Sequence, residues 1–231
     1  MHAYCPSALS VAVVTMLATE TLVLALVVIC VVFCVRLFAV LRSGRSYRPG
    51  AEGSVSVLVV AGSGGHTTEI LRLLGSLSSA YSPRYYVVAQ SDSMSEDKIQ
   101  AFEKSRPQED SQAQFGVFRI PRSREVHQSW SSSLLSTINA LCYSIPLVFR
   151  LRPDVILCNG PGTCVPLCLA GLGLGMLGLK QVVLVYVESL CRVESLSLSG
   201  RLLYPFTHYF FVQWAALRDK YPKAIFLGRI V

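Results

Sequence analysis

Leu22 to Val35, LVLALVVICVVFCV, is an unbroken apolar run, and after Arg36 the sequence continues LFAVL before Arg42. With the Arg36 side chain reaching toward headgroups, Leu22 to Leu41 supplies about the 20 residues that cross a bilayer as a helix. A chain that opens this way has to separate a lipid-facing element from a water-facing one. Ala8 to Thr19 is also apolar but is set apart by Glu20, and it is too short to span alone. A cleaved signal peptide is the rival reading. It calls for a basic amino-terminal region, which is missing here, and for an apolar core of about 7 to 15 residues.

The flanks of the run orient it. Arg36, Arg42, Arg45 and Arg48 lie on its carboxyl side, and no Lys or Arg precedes it. The positive-inside bias then puts everything after residue 42 in the cytosol. In that reducing compartment Cys142, Cys158, Cys164, Cys168 and Cys191, mostly set in apolar strings, are expected as buried small hydrophobes rather than disulfides. Zinc would need closer Cys or His spacing than Cys158, Cys164, Cys168 and Cys191 offer, so no metal is expected. The net charge of +7 includes the membrane-proximal arginines. A basic belt against anionic lipid accounts for it, and the scattered remainder does not suggest nucleic acid.

The organisation expected is an amino-terminal segment 1–21, an anchor 22–41, a Gly/Ser/Arg/Pro-rich linker 42–53 and a domain 54–231. Within the domain, strands are expected at Val55 to Ala61, Tyr85 to Gln90, Phe115 to Ile120, Val155 to Cys158, Gln181 to Val187, Tyr209 to Gln213 and Ala224 to Leu227. Helices are expected at Thr67 to Ser79, Met94 to Ser105, Ser131 to Leu151, Thr163 to Leu177, Ser199 to Leu203 and Trp214 to Tyr221. Several strands are apolar on both faces, the pattern of a parallel sheet covered on both sides. The fold class is therefore α/β, a Rossmann-like doubly wound sheet behind a single transmembrane helix. Ser105 to Gln114, SRPQEDSQAQ, is polar enough to be an excursion from it.

Ligands of such sheets bind beyond the carboxyl ends of the strands. After the first strand comes Gly62-Ser63-Gly64-Gly65-His66, with a helix starting near Thr67. Glycines there let backbone N–H groups approach an anion, and the helix dipole adds to the attraction. The dinucleotide fingerprint would need glycine at position 67 and an acid at the end of the second strand, where Gln90 stands and Asp92 is the nearest rescue. A membrane-tethered NAD-binding oxidoreductase is thus the alternative, and a poorly fitting one. His66 is placed to donate to a diphosphate, to act as a base, or simply to cap the loop.

After the fourth strand, Asn159-Gly160-Pro161-Gly162-Thr163 repeats the glycine theme, and the two loops together could clamp a diphosphate. Arg122 and Arg124 in PRSREV offer guanidinium forks to phosphate oxygens or to headgroups. Glu188 ends the fifth strand, VVLVYVE, either as a general base or as a helix-capping acid.

Taken together, VLVVAGSGGHTTEILRLL, RIPRSREVHQSW, VILCNGPGTCVP, VYVESLCRVESLSLSG and YPKAIFLGRIV closely resemble the asparagine-linked glycosylation protein fourteen family. These are the membrane subunits of the UDP-N-acetylglucosamine transferase of dolichol-linked oligosaccharide synthesis. That family is similar to the amino-terminal half of the bacterial transferase that adds N-acetylglucosamine to lipid-linked muramyl peptide, a two-domain GT-B enzyme. The resemblance implies the acceptor half of a split GT-B glycosyltransferase. A separate soluble subunit would hold the donor, UDP-N-acetylglucosamine, in a heterodimer or higher assembly, with no further cofactor. The site would be the cytosolic face of the endoplasmic reticulum membrane, with the amino terminus lumenal.

The reaction implied is addition of the second N-acetylglucosamine, in β1,4 linkage, to dolichyl-diphosphate N-acetylglucosamine. Gly62, Gly64, Gly65 and His66 match the bacterial glycine loop GGTGGH. In the second loop Thr163 and Cys164 replace glycine and tyrosine, and of the bacterial His-Glu-Gln-Asn strand end only Glu188 is kept. The expectation is that the acceptor diphosphate rests on Gly62, Ser63, Gly64, Gly65 and Thr67, with Asn159, Gly160, Gly162, Thr163, Arg122 and Arg124 assisting. His66 or Glu188 would deprotonate the acceptor 4-hydroxyl, without a metal. The sequence stops at Leu227-Gly228-Arg229-Ile230-Val231 straight after its last apolar strand, and this end is expected to be exposed and to dock the donor subunit.

Overall fold

The computed structural model describes residues 8–46, 53–106, 114–124 and 128–231. The expected excursion at Ser105 to Gln114 falls mostly outside them. By internal contacts the chain separates into two units, divided between Ala39 and Val40.

The first unit is carried by helix α1 (Ala8–Ser46), 39 residues long. At 1.5 Å per residue such a helix extends about 58 Å, more than the roughly 30 Å of a hydrocarbon core. Thr15 to Gly44 contains a stretch long and apolar enough to cross a membrane. Glu20 lies inside the helix, so Ala8 to Thr19, set apart in the sequence, continues it. Glutamate is a good helix former, and Thr19 and Thr21 donate their hydroxyls back to the carbonyls of Met16 and Ala18.

A second departure concerns the expected linker. Helix continues through Ser46, and its last turns from Val40 belong to the second unit. Val40 is buried, and its carbonyl accepts from Gln181 Nε2 at 3.2 Å. His208 also points there: its Nδ1 accepts from Leu184 N, so Nε2 carries the proton and faces the Val40 carbonyl at 3.4 Å. A Cβ at Gly44 would lie 2.0 Å from the His208 ring, so only glycine lets the helix end approach.

The second unit is a seven-stranded, all-parallel sheet in the order β3-β2-β1-β4-β5-β6-β7. Its strands are β1 (Val57–Val60), β2 (Arg84–Ala89), β3 (Phe115–Ile120), β4 (Val155–Asn159), β5 (Val183–Val187), β6 (Tyr209–Val212) and β7 (Ile225–Phe226). The helices between them are α2 (Gly65–Leu74), α3 (Ser93–Lys104), α4 (Trp130–Leu151), α5 (Cys164–Met176), α6 (Leu198–Leu203) and α7 (Ala215–Lys220). β1 is buried on both faces. Leu58 and Val60 pack with Ile156, Leu167 and Leu184 on one side, while Val57 and Val59 pack with Ile70, Leu74 and Tyr86 on the other. Burial on both sides is what the uninterrupted β-branched runs require.

α5 lies close on the sheet because Gly171 has no Cβ. One there would sit 2.6 Å from Ile156 Cδ1. Beside α5, α4 turns a stripe of mostly small residues inward, Ser133, Ala140, Ser144 and Val148. It leaves Trp130, Leu134, Leu135 and Ile138 exposed. Cys158, Cys164 and Cys168 are buried in this core, and Cys191 is exposed.

The chain end departs from expectation too. Val231 is buried in the core face that holds Val57 and Val59, and Ile230 N donates to Gln213 Oε1 at 2.9 Å. Burying the two apolar side chains against the sheet is more favourable than displaying them. Of the five expected docking residues, Leu227 and Arg229 remain exposed, the latter with its guanidinium 4.3 Å above the Trp214 ring. Gly228 turns the chain between them at φ 88°.

Candidate active site

From β1 the chain builds outward to β2 and β3, then crosses back through α4 to lay β4 on the free side of β1. The loops after β1 and β4 therefore leave neighbouring strands, with Val60 registered on Cys158, and diverge around a crevice. Each loop carries glycines for a distinct reason. A Cβ on Gly62 would meet Pro161 at 2.8 Å, and one on Gly160 would meet His66 Cε1 at 2.4 Å. These two glycines let the loops interlock. Nothing lies within 4 Å of a Cβ placed on Gly64 or Gly65, so the turn into α2 faces open space. Gly64, at φ 65°, caps that helix without a side-chain hydrogen bond. An anion approaching from this side meets helix N–H groups and the positive end of the helix dipole.

The crevice opens into a cleft of about 740 Å³. Gly62, Ser63, His66, Gly160, Gly162 and Thr163 form its floor, together with Arg122 and Arg124. Trp130, Leu134, Val165, Leu198 and Leu202 form an apolar wall. The Arg124 guanidinium lies 4.6 Å above the Trp130 ring, which holds the cation where floor and wall meet. Ser123, in the same lining, keeps a buried hydroxyl with no hydrogen-bond partner among the described residues. One further cation, Arg192 from the β5–α6 loop, completes the rim. Glu125, Val126 and His127 lie outside the described residues.

His66 is held by two neighbours. Asn159 is buried, and its Nδ2 donates to the Val187 carbonyl at 3.3 Å. A carbonyl only accepts, so Asn159 Oδ1 is the atom that faces His66 Nδ1 at 3.2 Å. Nδ1 therefore carries the proton, and Nε2 is left as the basic nitrogen. The other neighbour is Glu69, one helical turn on, with Oε2 at 3.6 Å from Nδ1. Asn159, expected at the diphosphate, here orients the imidazole through Oδ1 while Nδ2 bonds the Val187 carbonyl.

Two other expectations change. Thr67 is fully buried, and its hydroxyl donates to the Gly62 carbonyl and bonds Ser95 Oγ at 2.7 Å. It braces the glycine turn from below and presents no hydroxyl to the cleft. Glu188 is 0% exposed and lies outside the lining. Its carboxylate accepts from Ser189 N at 3.1 Å and from Ser197 N and Oγ at 3.0 and 3.1 Å. Burial pushes its pKa above the usual carboxylate range, and those hydrogen bonds pull it part of the way back. A base must reach its proton, and this carboxyl is turned under the β5–α6 loop that it pins.

The dinucleotide reading also loses its remaining acid. Asp92 is buried and accepts from Ser95 N at 3.1 Å and Ser95 Oγ at 2.6 Å as the cap of α3. Its carboxylate is committed to that helix end and is not offered to a ribose.

Residues 57–230 match the model of a family described as oligosaccharide biosynthesis protein Alg14 like. The chain belongs to the Alg14-like family. Among curated relatives, the UDP-N-acetylglucosamine transferase subunit ALG14 of Rattus norvegicus is 57% identical over 204 residues, covering 87% of this chain and 93% of the relative. The Homo sapiens subunit is 55% identical, covering 88% of this chain and 94% of its own. That of Schizosaccharomyces pombe is 47% identical, with 74% and 81% covered. A solved structure, MurG of Acinetobacter baumannii, superposes with a TM-score of 0.51 at 14% identity, covering 70% of this chain and 42% of its own. At that identity the likeness establishes a shared fold. This Alg14-like chain thus has a MurG-like Rossmann sheet, with its two glycine loops at the edge where β1 and β4 part.

Glu69, Arg192, Trp130 and Ser123 were absent from the sequence-derived site. Glu69 was findable, since residues i and i+3 share a helix face and His66 had already been singled out. Arg192 follows Glu188 by four residues, but only the path of the loop from Glu188 to Ser197 brings it into the lining of the cleft.

Proposed function

We propose that this chain is the membrane-anchored, acceptor-binding subunit of a UDP-N-acetylglucosamine transferase, acting on dolichyl-diphosphate N-acetylglucosamine. The observation that carries the reading is the division of the cleft. Its lining joins Gly62, Ser63, Arg122, Arg124 and Arg192 to the apolar Trp130, Leu134, Leu198 and Leu202, and Gly64 and Gly65 follow Ser63 at the open start of α2. An amphiphile with a diphosphate and an isoprenoid tail fits such a site: the anion takes helix N–H groups and guanidinium forks, and the tail takes the apolar wall. The relatives' names, transferase subunits, support a donor-binding partner chain. The apolar helix α1 supports a membrane address, taken here as the endoplasmic reticulum with the sheet domain cytosolic.

In the reaction proposed, His66 Nε2 removes the proton of the acceptor 4-hydroxyl. The freed oxygen forms a bond to the anomeric carbon of the donor sugar as the bond from that carbon to UDP breaks, with inversion. His66 ends protonated, and UDP departs with the bonding electron pair. Glu188 holds the loop that carries Arg192 and Ser197.

The test is transfer from UDP-N-acetylglucosamine to a short-chain dolichyl-diphosphate N-acetylglucosamine by the purified chain with and without its donor subunit. The pair should form the disaccharide and His66→Ala should reduce turnover without dissociating the complex. An inactive wild-type pair would overturn the reading.

A further inference from the structure

We infer that Glu69 is the positioning residue that makes His66 an effective base, an inference that rests on the transferase reading above. Glu69 divides its carboxylate between two tasks. Oε1 accepts from Ser189 Oγ at 2.9 Å and from Leu190 N at 3.2 Å, and so latches the start of the β5–α6 loop to α2. Oε2 is buried and accepts no hydrogen bond from the described residues, and it lies 3.6 Å from His66 Nδ1. A buried carboxylate oxygen left without a donor is costly unless something uses it.

The use is charge. Asn159 Oδ1 is enough to fix which imidazole nitrogen carries the proton, but a neutral amide offers little to the imidazolium that forms when Nε2 takes a second one. Glu69 supplies the opposite charge from the Nδ1 side, and His66 then carries its positive charge beside a fixed anion. Both His66 and Glu69 line a smaller compartment of about 500 Å³ next to the main cleft, bounded also by Gly65, Gly160, Ser189 and Arg192. Because the same side chain latches the β5–α6 loop, the carboxylate is held in place while it faces the histidine.

Glu69→Gln and Glu69→Asp, each in the full chain assembled with its donor subunit, separate this role from a purely structural latch. Gln keeps an oxygen for Ser189 and Leu190 but removes the charge and places an NH2 group toward Nδ1. Asp keeps the charge on a shorter stem. Part of the roughly 10²- to 10⁴-fold that a positioned base contributes should go with the charge. We expect kcat to fall about 10- to 100-fold in Glu69→Gln, with KM for both substrates within about twofold and the melting temperature close to wild type. Glu69→Asp should retain clearly more kcat than Gln.

An undiminished kcat in Glu69→Gln, a loss expressed in KM, or Asp no better than Gln would overturn the role of Glu69 while the wild-type complex still transfers sugar. A wild-type complex that transfers none would overturn the transferase reading beneath it.

Discussion

Several residues at this site serve by what they leave out. Gly160 stands at φ 75° against the His66 ring, where a methyl would come within 2.4 Å of Cε1. Gly160→Ala should cost about 1–3 kcal/mol in stability and displace the imidazole, so the assembled complex should lose transfer activity more steeply than its melting temperature falls. Glu188 makes the opposite point, a charge accepted at a cost. Its pKa is raised by burial, so the folded state holds the proton more tightly than the unfolded chain does. The stability that this proton contributes is present in full below the unfolded value near 4.5 and is lost as pH rises through the higher folded value. Melting curves of wild type and Glu188→Gln across that window should show wild type losing ground to the variant as pH rises. A constant difference would mean that the carboxyl does not titrate this way. Arg84 and Glu103 are a third case: a fully buried bidentate pair at 2.9 and 2.7 Å, each of which reads in the sequence as an ordinary surface charge.

At the level of elements, close approach is bought with small side chains. α5 meets β4 and β5 through Gly171, whose absent Cβ would sit 2.6 Å from Ile156 Cδ1 and 3.3 Å from Leu184 Cδ2. Gly171→Val should therefore cost about 1–3 kcal/mol of overpacking, read as a lower denaturation midpoint of the complex with an unchanged m-value. α5 follows the second glycine loop directly, so a shift of this helix moves Gly160 and Pro161 and with them the face on which His66 rests. α4 shows the same economy on its inner face with Ser133, Ala140 and Ser144, while Trp130 and Leu134 at its start supply the apolar wall of the cleft. One helix thus shapes both the core and the site.

For the whole molecule, the arginines that follow the apolar run predict a cytosolic sheet domain. In sealed microsomes carrying the full chain, protease added outside should digest residues 40–231 without detergent, and protection of that domain would reverse the orientation. The sequence alone determined the elements and their class, because uninterrupted β-branched runs and helical periodicity are local consequences of burial on two faces. It also identified both glycine loops and His66, since a glycine cluster between strand and helix marks the backbone itself. It did not determine which polar atoms of those loops face a ligand. Asn159, Thr67 and Glu188, expected at the site, bond an imidazole, a turn carbonyl and a loop, whereas Glu69 and Arg192, absent from the expected site, lie beside the histidine and in the lining of the cleft. Only the tertiary structure decided this, because a hydrogen bond is assigned by distance in space between residues far apart in the chain, 120 positions for Ser189 and Glu69. The same holds at the carboxyl end, where Val231 is apolar enough either to dock a partner or to fill its own core. In the folded chain Val231 packs in the core cluster that holds Val57 and Val59, a placement that only the tertiary structure shows.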